Sequence, residues 1–354
     1  MTSSRSGFRV TTRRGALAAL GVGLGWMATR AWAQGGVKDG VKGGVKAERM
    51  KVRLGIISAL FDAPSLIALE KGYFLDEGLD IELKSFASGP DEYQAQATGV
   101  IDVAASSVNV ALFNARIRGV ELSVVAGAGI NAPGRSFSSL VLRKDLIASG
   151  RYKTPGDLKG MKIATGITSA PHWLTAELAR RAGLQMDDVQ YVGLGIANIV
   201  AGMTNGAVDG ASVVEPFGTL LLERAGGVRV ASADQVFPNS PAGYLVYGPA
   251  LTVRNVEAGN RFMRAYLKGV RDYGQAFGPA RKDKDAILAI LRKYNIDIRP
   301  DTPMMSIPED GVPSLESVDA FLDWQVRLGT IRTRPDPKGL HDDRFRLAAL
   351  ARSR

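Results

Sequence analysis

The 354-residue sequence has no cysteine. Disulfides, thiolate metal sites and cysteine nucleophiles are thereby excluded. Also missing are a run of five or more like charges and a basic stripe interleaved with aromatics, although the net charge is +10. Half of that excess comes from Arg5, Arg9, Arg13, Arg14 and Arg30 in the first 33 residues, which hold no acid. The remaining charge is mixed, a pattern that speaks against nucleic acid as a partner. Nor is there a nucleophile triad, a metal-ligand set or a phosphate-binding fingerprint, so neither a metal nor a cofactor is expected. What is present is ordinary for a globular chain, with 45% hydrophobic and 23% charged residues. The length accommodates two domains of about 150 residues each, each with its own core.

The first 33 residues have the parts of an export signal: the basic pair Arg13-Arg14, an apolar stretch, and a small-residue ending at Ala31-Trp32-Ala33. Gly15, Gly21, Gly23 and Gly25 dilute the stretch, which at about 15 residues is short of the roughly 20 that cross hydrocarbon. A cleaved signal is expected over 1–33, with cleavage after Ala33 and a periplasmic destination. The Thr12-Arg13-Arg14 start resembles a twin-arginine signal, and Ala16, where a larger apolar residue is usual, leaves the general secretory route open. Residues 34–50 repeat Gly-Val-Lys and bury too little to order themselves, so a flexible linker is expected there.

From Lys51 onward short β-rich runs alternate with helical stretches, the rhythm of an α/β domain. Strands are expected at 52–57, 81–86, 103–106 and 122–126, with helices at 62–72, 91–97 and 110–118. Asp62 serves as the first helix's cap and Pro64 falls in its first turn. After the turn at 152–156 the alternation restarts, with strands at 162–165, 189–192 and 211–214 and helices at 172–181 and 197–203. Thr98-Gly99-Val100-Ile101-Asp102-Val103-Ala104 is echoed by Asn205-Gly206-Ala207-Val208-Asp209-Gly210-Ala211, as if one unit occurs twice. Phe262, Ala265, Tyr266, Val270, Tyr273 and Phe277, at three- and four-residue steps, mark an amphipathic helix over 255–277. Further helices are expected at 284–294 and 314–328.

Several segments, in order and at their spacing, resemble the nitrate, sulfonate and taurine family of solute-binding proteins of ABC importers. They include Ala68-Leu69-Glu70-Lys71-Gly72-Tyr73-Phe74, Glu77-Gly78-Leu79-Asp80, Thr154-Pro155-Gly156-Asp157-Leu158-Lys159-Gly160, Glu215-Pro216-Phe217 and Arg264-Ala265-Tyr266-Leu267-Lys268-Gly269-Val270. The resemblance covers about 51–275. It implies a type II periplasmic-binding-protein fold, two α/β lobes joined by a two-stranded hinge crossed near 140–150 and 242–250, with a ligand cleft between them. Lobe I would comprise 51–145 and 245–354, and lobe II 146–244. The implied partners are a small-molecule ligand and an inner-membrane permease with its cytoplasmic ATPase, the binding protein itself being a monomer.

In open α/β sheets ligands sit beyond the carboxyl ends of the strands. That rule selects Phe61 and Asp62, Ser88 and Gly89, Ser106, Ser107 and Asn109 in the first lobe, and Gly166, Thr168, Ser169 and His172 in the second. Their amides and hydroxyls could hold an anion without a full countercharge. Two roles are open to several of them. Ser169 is a ligand donor or a helix cap, His172 a ligand contact or a structural histidine, and Phe61 an apolar wall or core. Glu215, also a candidate, either accepts a ligand donor or pairs with a hinge arginine. Three functions compete: a transport receptor for a sulfonate, taurine-like solute, nitrate, aromatic carboxylate or pyrimidine; an enzyme using Glu215 and His172; and a sensory domain, for which the chain has no signalling segment.

Overall fold

The computed structural model describes residues 48–300 and 302–352. The expected signal at 1–33 and nearly all of the tract at 34–50 lie outside the described residues. Ten strands form two five-stranded sheets. Strands β1 (Met50–Ile56), β2 (Leu79–Ser85), β3 (Val103–Ser106) and β4 (Ser123–Ile130) belong to the first. The second holds β5 (Ser138–Arg143), β6 (Lys162–Thr165), β7 (Gln190–Gly193), β8 (Gly210–Val214) and β9 (Gly227–Ser232), after which β10 (Pro241–Tyr247) returns to the first.

The sheets have the same plan. The orders are β2-β1-β3-β10-β4 and β7-β6-β8-β5-β9, and in each the fourth strand runs antiparallel to both neighbours. That strand is the one which has just crossed from the other sheet. The crossings run over 131–137 and 233–240, upstream of the ranges 140–150 and 242–250 that the sequence suggested. They are laced together: Asn131 N donates to Ser240 O (2.9 Å), Asn239 N to Asn131 O (2.8 Å), and Ala233 N to Ser136 Oγ (3.0 Å).

The sequence echo has a structural counterpart. Gly99 and Gly206 take left-handed φ values of 76° and 79° at the ends of equivalent helices, Gly89–Ala97 and Ile196–Thr204, where a side chain would be strained. Three residues later, Asp102 Oδ2 accepts the amide of Arg53 at 2.9 Å, and Asp209 Oδ2 accepts that of Lys162 at 2.9 Å. Each aspartate thus ties the strand it precedes (β3, β8) to the parallel neighbour of that strand in its own sheet (β1, β6).

Helices cover both faces of each sheet. On the first, the long helix Val256–Phe277 is capped by Asn255 and lays Phe262, Met263, Tyr266, Val270 and Tyr273 onto the core. It crosses the helix Ala63–Glu70 closely enough that a Cβ on Gly269 would lie 2.1 Å from Pro64 O. On the other face, helices Gly89–Ala97 and Val110–Ile117 pack with the later helix Val318–Arg327. That apolar cluster continues into the second lobe through Trp173, which stacks on Phe237 at 3.6 Å and meets Phe321 edge-on at 5.5 Å.

Candidate functional site

A cleft of about 500 Å³ lies where the carboxyl ends of the two sheets face each other. From the first lobe come Ile57 after β1, Ala87 to Pro90 after β2, and Ser107 after β3. The second lobe contributes Thr165 to Ile167 and Ser169 after β6, Gly193 to Gly195 after β7, and Ser212 to Val214 of β8 with Phe217 beyond it. Among the described residues no ionisable side chain lines it. Four helices begin at its wall, Gly89–Ala97, Ala170–Arg181, Ile196–Thr204 and Phe217–Arg224. The first amides of a helix have no partner within it and carry the positive end of its dipole, so the wall is electropositive without a cation.

Of the twelve residues named from the sequence, Ser88, Gly89, Ser107, Gly166 and Ser169 line this cleft. Ser88 caps its helix by accepting from Asp91 N at 3.4 Å, and Ser169 caps the helix that follows it. Asn109 stands one layer behind. Its amide donates to Ser107 O at 3.0 Å and its oxygen accepts from Ala111 N at 3.0 Å, which shapes the Ser107 loop. Phe61 is buried edge-on against Phe137 (5.3 Å) and belongs to the core. Ser106 is fully buried.

Asp62 does not cap its helix by its side chain. Its carboxylate turns back and accepts the amides of Ile57 (3.2 Å) and Ala59 (3.0 Å), pinning a loop in which Ser58 takes φ 59°. The second lobe repeats the device. Thr168, β-branched and at φ 67°, occupies a conformation that costs about 1–3 kcal/mol. It is held by its amide donating to His172 Nδ1 (3.1 Å) and its carbonyl accepting from Gln325 Nε2 (2.7 Å). His172 is buried between Tyr191 and Trp324. Burial lowers its pKa to about 4, so the ring is neutral and the acceptor nitrogen stays available.

Glu215 also stands apart from the cleft. It is 1% exposed and accepts from Arg229 (2.7 Å), Thr219 N (3.0 Å) and Thr219 Oγ1 (2.9 Å). Burial pushes its pKa up against the opposing pull of Arg229 and Thr219. Of its two open roles the structure assigns it the arginine pair. The sequence reading missed Thr165, whose buried hydroxyl has no partner in the fold, and the loop Gly193 to Gly195. Both follow from the strand-end rule already applied, but a Gly-Leu-Gly loop shows no hydroxyl to draw attention to itself.

The model of the NMT1-like family matches residues 45–276. A Brucella abortus protein bearing the name "putative binding protein" is 26% identical over 302 residues, 82% of this chain and 90% of its own. A Bacillus subtilis "putative aliphatic sulfonates-binding protein" is 24% identical over 305 residues, 85% and 88% of the two chains. Among solved structures, the periplasmic nitrate-binding protein of Synechocystis PCC 6803 aligns with a TM-score of 0.68 at 17% identity, over 86% of this chain and 89% of that one. The fold is therefore that of the type II periplasmic binding proteins, two mixed α/β lobes. The desulfurization enzyme DSZB shares it, with a TM-score of 0.60 at 14% identity, over 86% of this chain and all of that one. Fold alone thus leaves binding and catalysis both available.

Proposed function

The chain belongs to the NMT1-like family, and on that premise we propose that it is the periplasmic solute-binding component of an ABC importer. It closes two lobes over a small organic anion and passes it unchanged to a membrane permease with its ATPase. One observation carries this reading: a cleft of about 500 Å³, bounded by both lobes, with helix starts and hydroxyls in its wall and, among the described residues, no ionisable side chain. That volume suits a small ligand. The anionic head would be held by amides and hydroxyls, with an apolar body against Ile57, Ala87 and Pro90. An alkanesulfonate or an aromatic carboxylate fits both demands better than nitrate, which has no body to bury.

Catalysis finds less support. His172 and Glu215, the pair that acid–base chemistry would use, are committed to Thr168 and to Arg229 with Thr219. In a receptor the ligand stabilises the closed form by binding both lobes at once. A thermal-melt screen of alkanesulfonates, taurine, aromatic carboxylates, pyrimidines and nitrate tests this. A true ligand at a hundred times its Kd stabilises the protein by about 2.7 kcal/mol and is recovered unaltered by mass spectrometry. Recovery of a converted product, or no shift with any member of the panel, would reject the receptor reading.

A further inference from the structure

Beneath the first-lobe half of the cleft lies an acid pair that the binding surface does not use. Asp62 and Glu92 are both fully buried. Asp62 holds Ile57, a cleft residue, and Glu92 lies in the helix whose first residues, Gly89 and Pro90, line the cleft; its Oε1 accepts from Ala105 N at 3.3 Å. Among the described residues Asp62 Oδ1 and Glu92 Oε2 are buried without a hydrogen bond of good geometry, and the Ser106 hydroxyl, itself buried, stands near enough to Glu92 to favour its charged form, against the larger cost of burial. The space is tight: a Cβ on Gly55 would lie 2.8 Å from Glu92 Oε1, and one on Gly89 would lie 2.3 Å from Ser106 Oγ.

We propose that Asp62 and Glu92 are specificity-determining residues, a buried acid pair held by backbone amides and by no cation among the described residues, which reserves the first-lobe half of the cleft for the uncharged end of the solute and turns its anionic head toward the second lobe. This rests on the receptor reading. The charge of Asp62 acts on Glu92, and two buried carboxyls coupled in this way resist ionising together. Desolvation, opposed by the loop amides, raises Asp62 to about 7; desolvation first and Asp62 second hold Glu92 well above the carboxylate range. The titratable groups that face the pair are phenols. Tyr93 of the same helix donates to Ser106 O at 3.3 Å, and Tyr266 of the long helix donates to Gly127 O at 2.8 Å, while Tyr244 of β10 acts on Tyr93. Among the described residues neither acid forms an ion pair with a cation; their hydrogen-bond partners are backbone amides. The pair is therefore neutral in acid and gains negative charge above neutrality, where it opposes the helix dipoles on its side. The loops at 166–169 and 193–195 have no such counterpart, because Glu215 in that lobe is paired with Arg229.

The test compares butanesulfonate with 1,4-butanedisulfonate by calorimetry on the full mature chain. The wild type at pH 8 is expected to disfavour the dianion by at least tenfold, and the ratio to fall toward one at pH 5 and in Glu92→Gln and Asp62→Asn at pH 8. A ratio that ignores both pH and substitution overturns the proposal, as does failure of both probes everywhere. The receptor reading falls only if the wider panel is silent too. Infrared spectroscopy of the wild type provides a check that needs no variant to fold. A protonated-carboxyl band that weakens between pH 5 and pH 8 supports the pair, and its absence at pH 5 refutes it.

Discussion

Glu215 ends an apolar strand and precedes a proline, a position that from sequence reads as facing outward to a ligand. The fold turns it inward onto Arg229 and Thr219. Breaking a buried pair leaves its partner uncompensated, and here the arginine is partly exposed, which moderates the cost. Glu215→Ala should lower stability by about 2–4 kcal/mol in urea denaturation while leaving the cleft lining intact. His172 has a similar indirect role. Because it splints Thr168, His172→Ala should weaken ligand binding about tenfold, as calorimetry would register, although the ring touches no solute. Thr168→Gly should relieve left-handed strain and raise the unfolding free energy in urea denaturation by about 1 kcal/mol, again with looser binding because the loop is less fixed. The sequence left two roles open for both Glu215 and His172 and did not decide between them. Residue types at strand ends identified the right loops, and only coordinates distinguish the side chains that face the cleft from those that brace it.

At the scale of elements the sequence was far more informative. Strand β3 and strand β6 have the bounds their apolar runs indicated, and the long amphipathic helix begins one residue later than expected, at Val256. Strands β5, β9 and β10 were not among the strands expected. Ser138 and Ser139 open β5 without the alternation of a half-exposed strand, since both are buried. Strand β9 is short, and Arg229 interrupts its apolar residues Val228, Val230 and Ala231. Helices Phe217–Arg224 and Arg344–Ala351 were also missed; the first follows directly on Pro216, and the second mixes Arg344 and Arg346 with its apolar residues. Two helices approach closely at Gly269, where an added Cβ would lie 2.1 Å from Pro64 O. Gly269→Val must separate the helices Ala63–Glu70 and Val256–Phe277, because the nearest atom is a backbone carbonyl. A loss of about 3 kcal/mol or more is expected on thermal or chemical denaturation.

For the whole molecule, the lobes meet at more than the two crossings. Gln325 of the helix Val318–Arg327 donates to Thr168 O, Arg299 pairs with Glu223 at 3.3 Å, and Asn109 forms an isolated bridge with Ser169. Gln325→Ala should therefore shift the ligand-free protein toward open forms, seen as a larger radius of gyration in solution scattering; an unchanged radius would mean the contact is idle. Acid–base behaviour is likewise a property of both lobes together. Asp62 titrates near 7 in the fold against 3.8 in the open chain, so the folded state holds the extra proton and stability falls as pH rises from about 4 to 7. His172 titrates near 4 against 6.5; there the unfolded state holds the extra proton, and stability rises with pH over about 4 to 6.5. Relative to wild type, Asp62→Asn should tilt the pH–stability curve upward through this window and His172→Gln downward. Each tilt is at most about 1.4 kcal/mol per pH unit, readable from melting curves.

The lacing of Asn131 to Ser240 has a further consequence. Everything from β5 to β9 is one uninterrupted insertion whose entry and exit stand side by side. Such a segment is a removable cassette: a short graft across its neck would leave the host sheet intact, and foreign cassettes with equally close ends could be installed in its place.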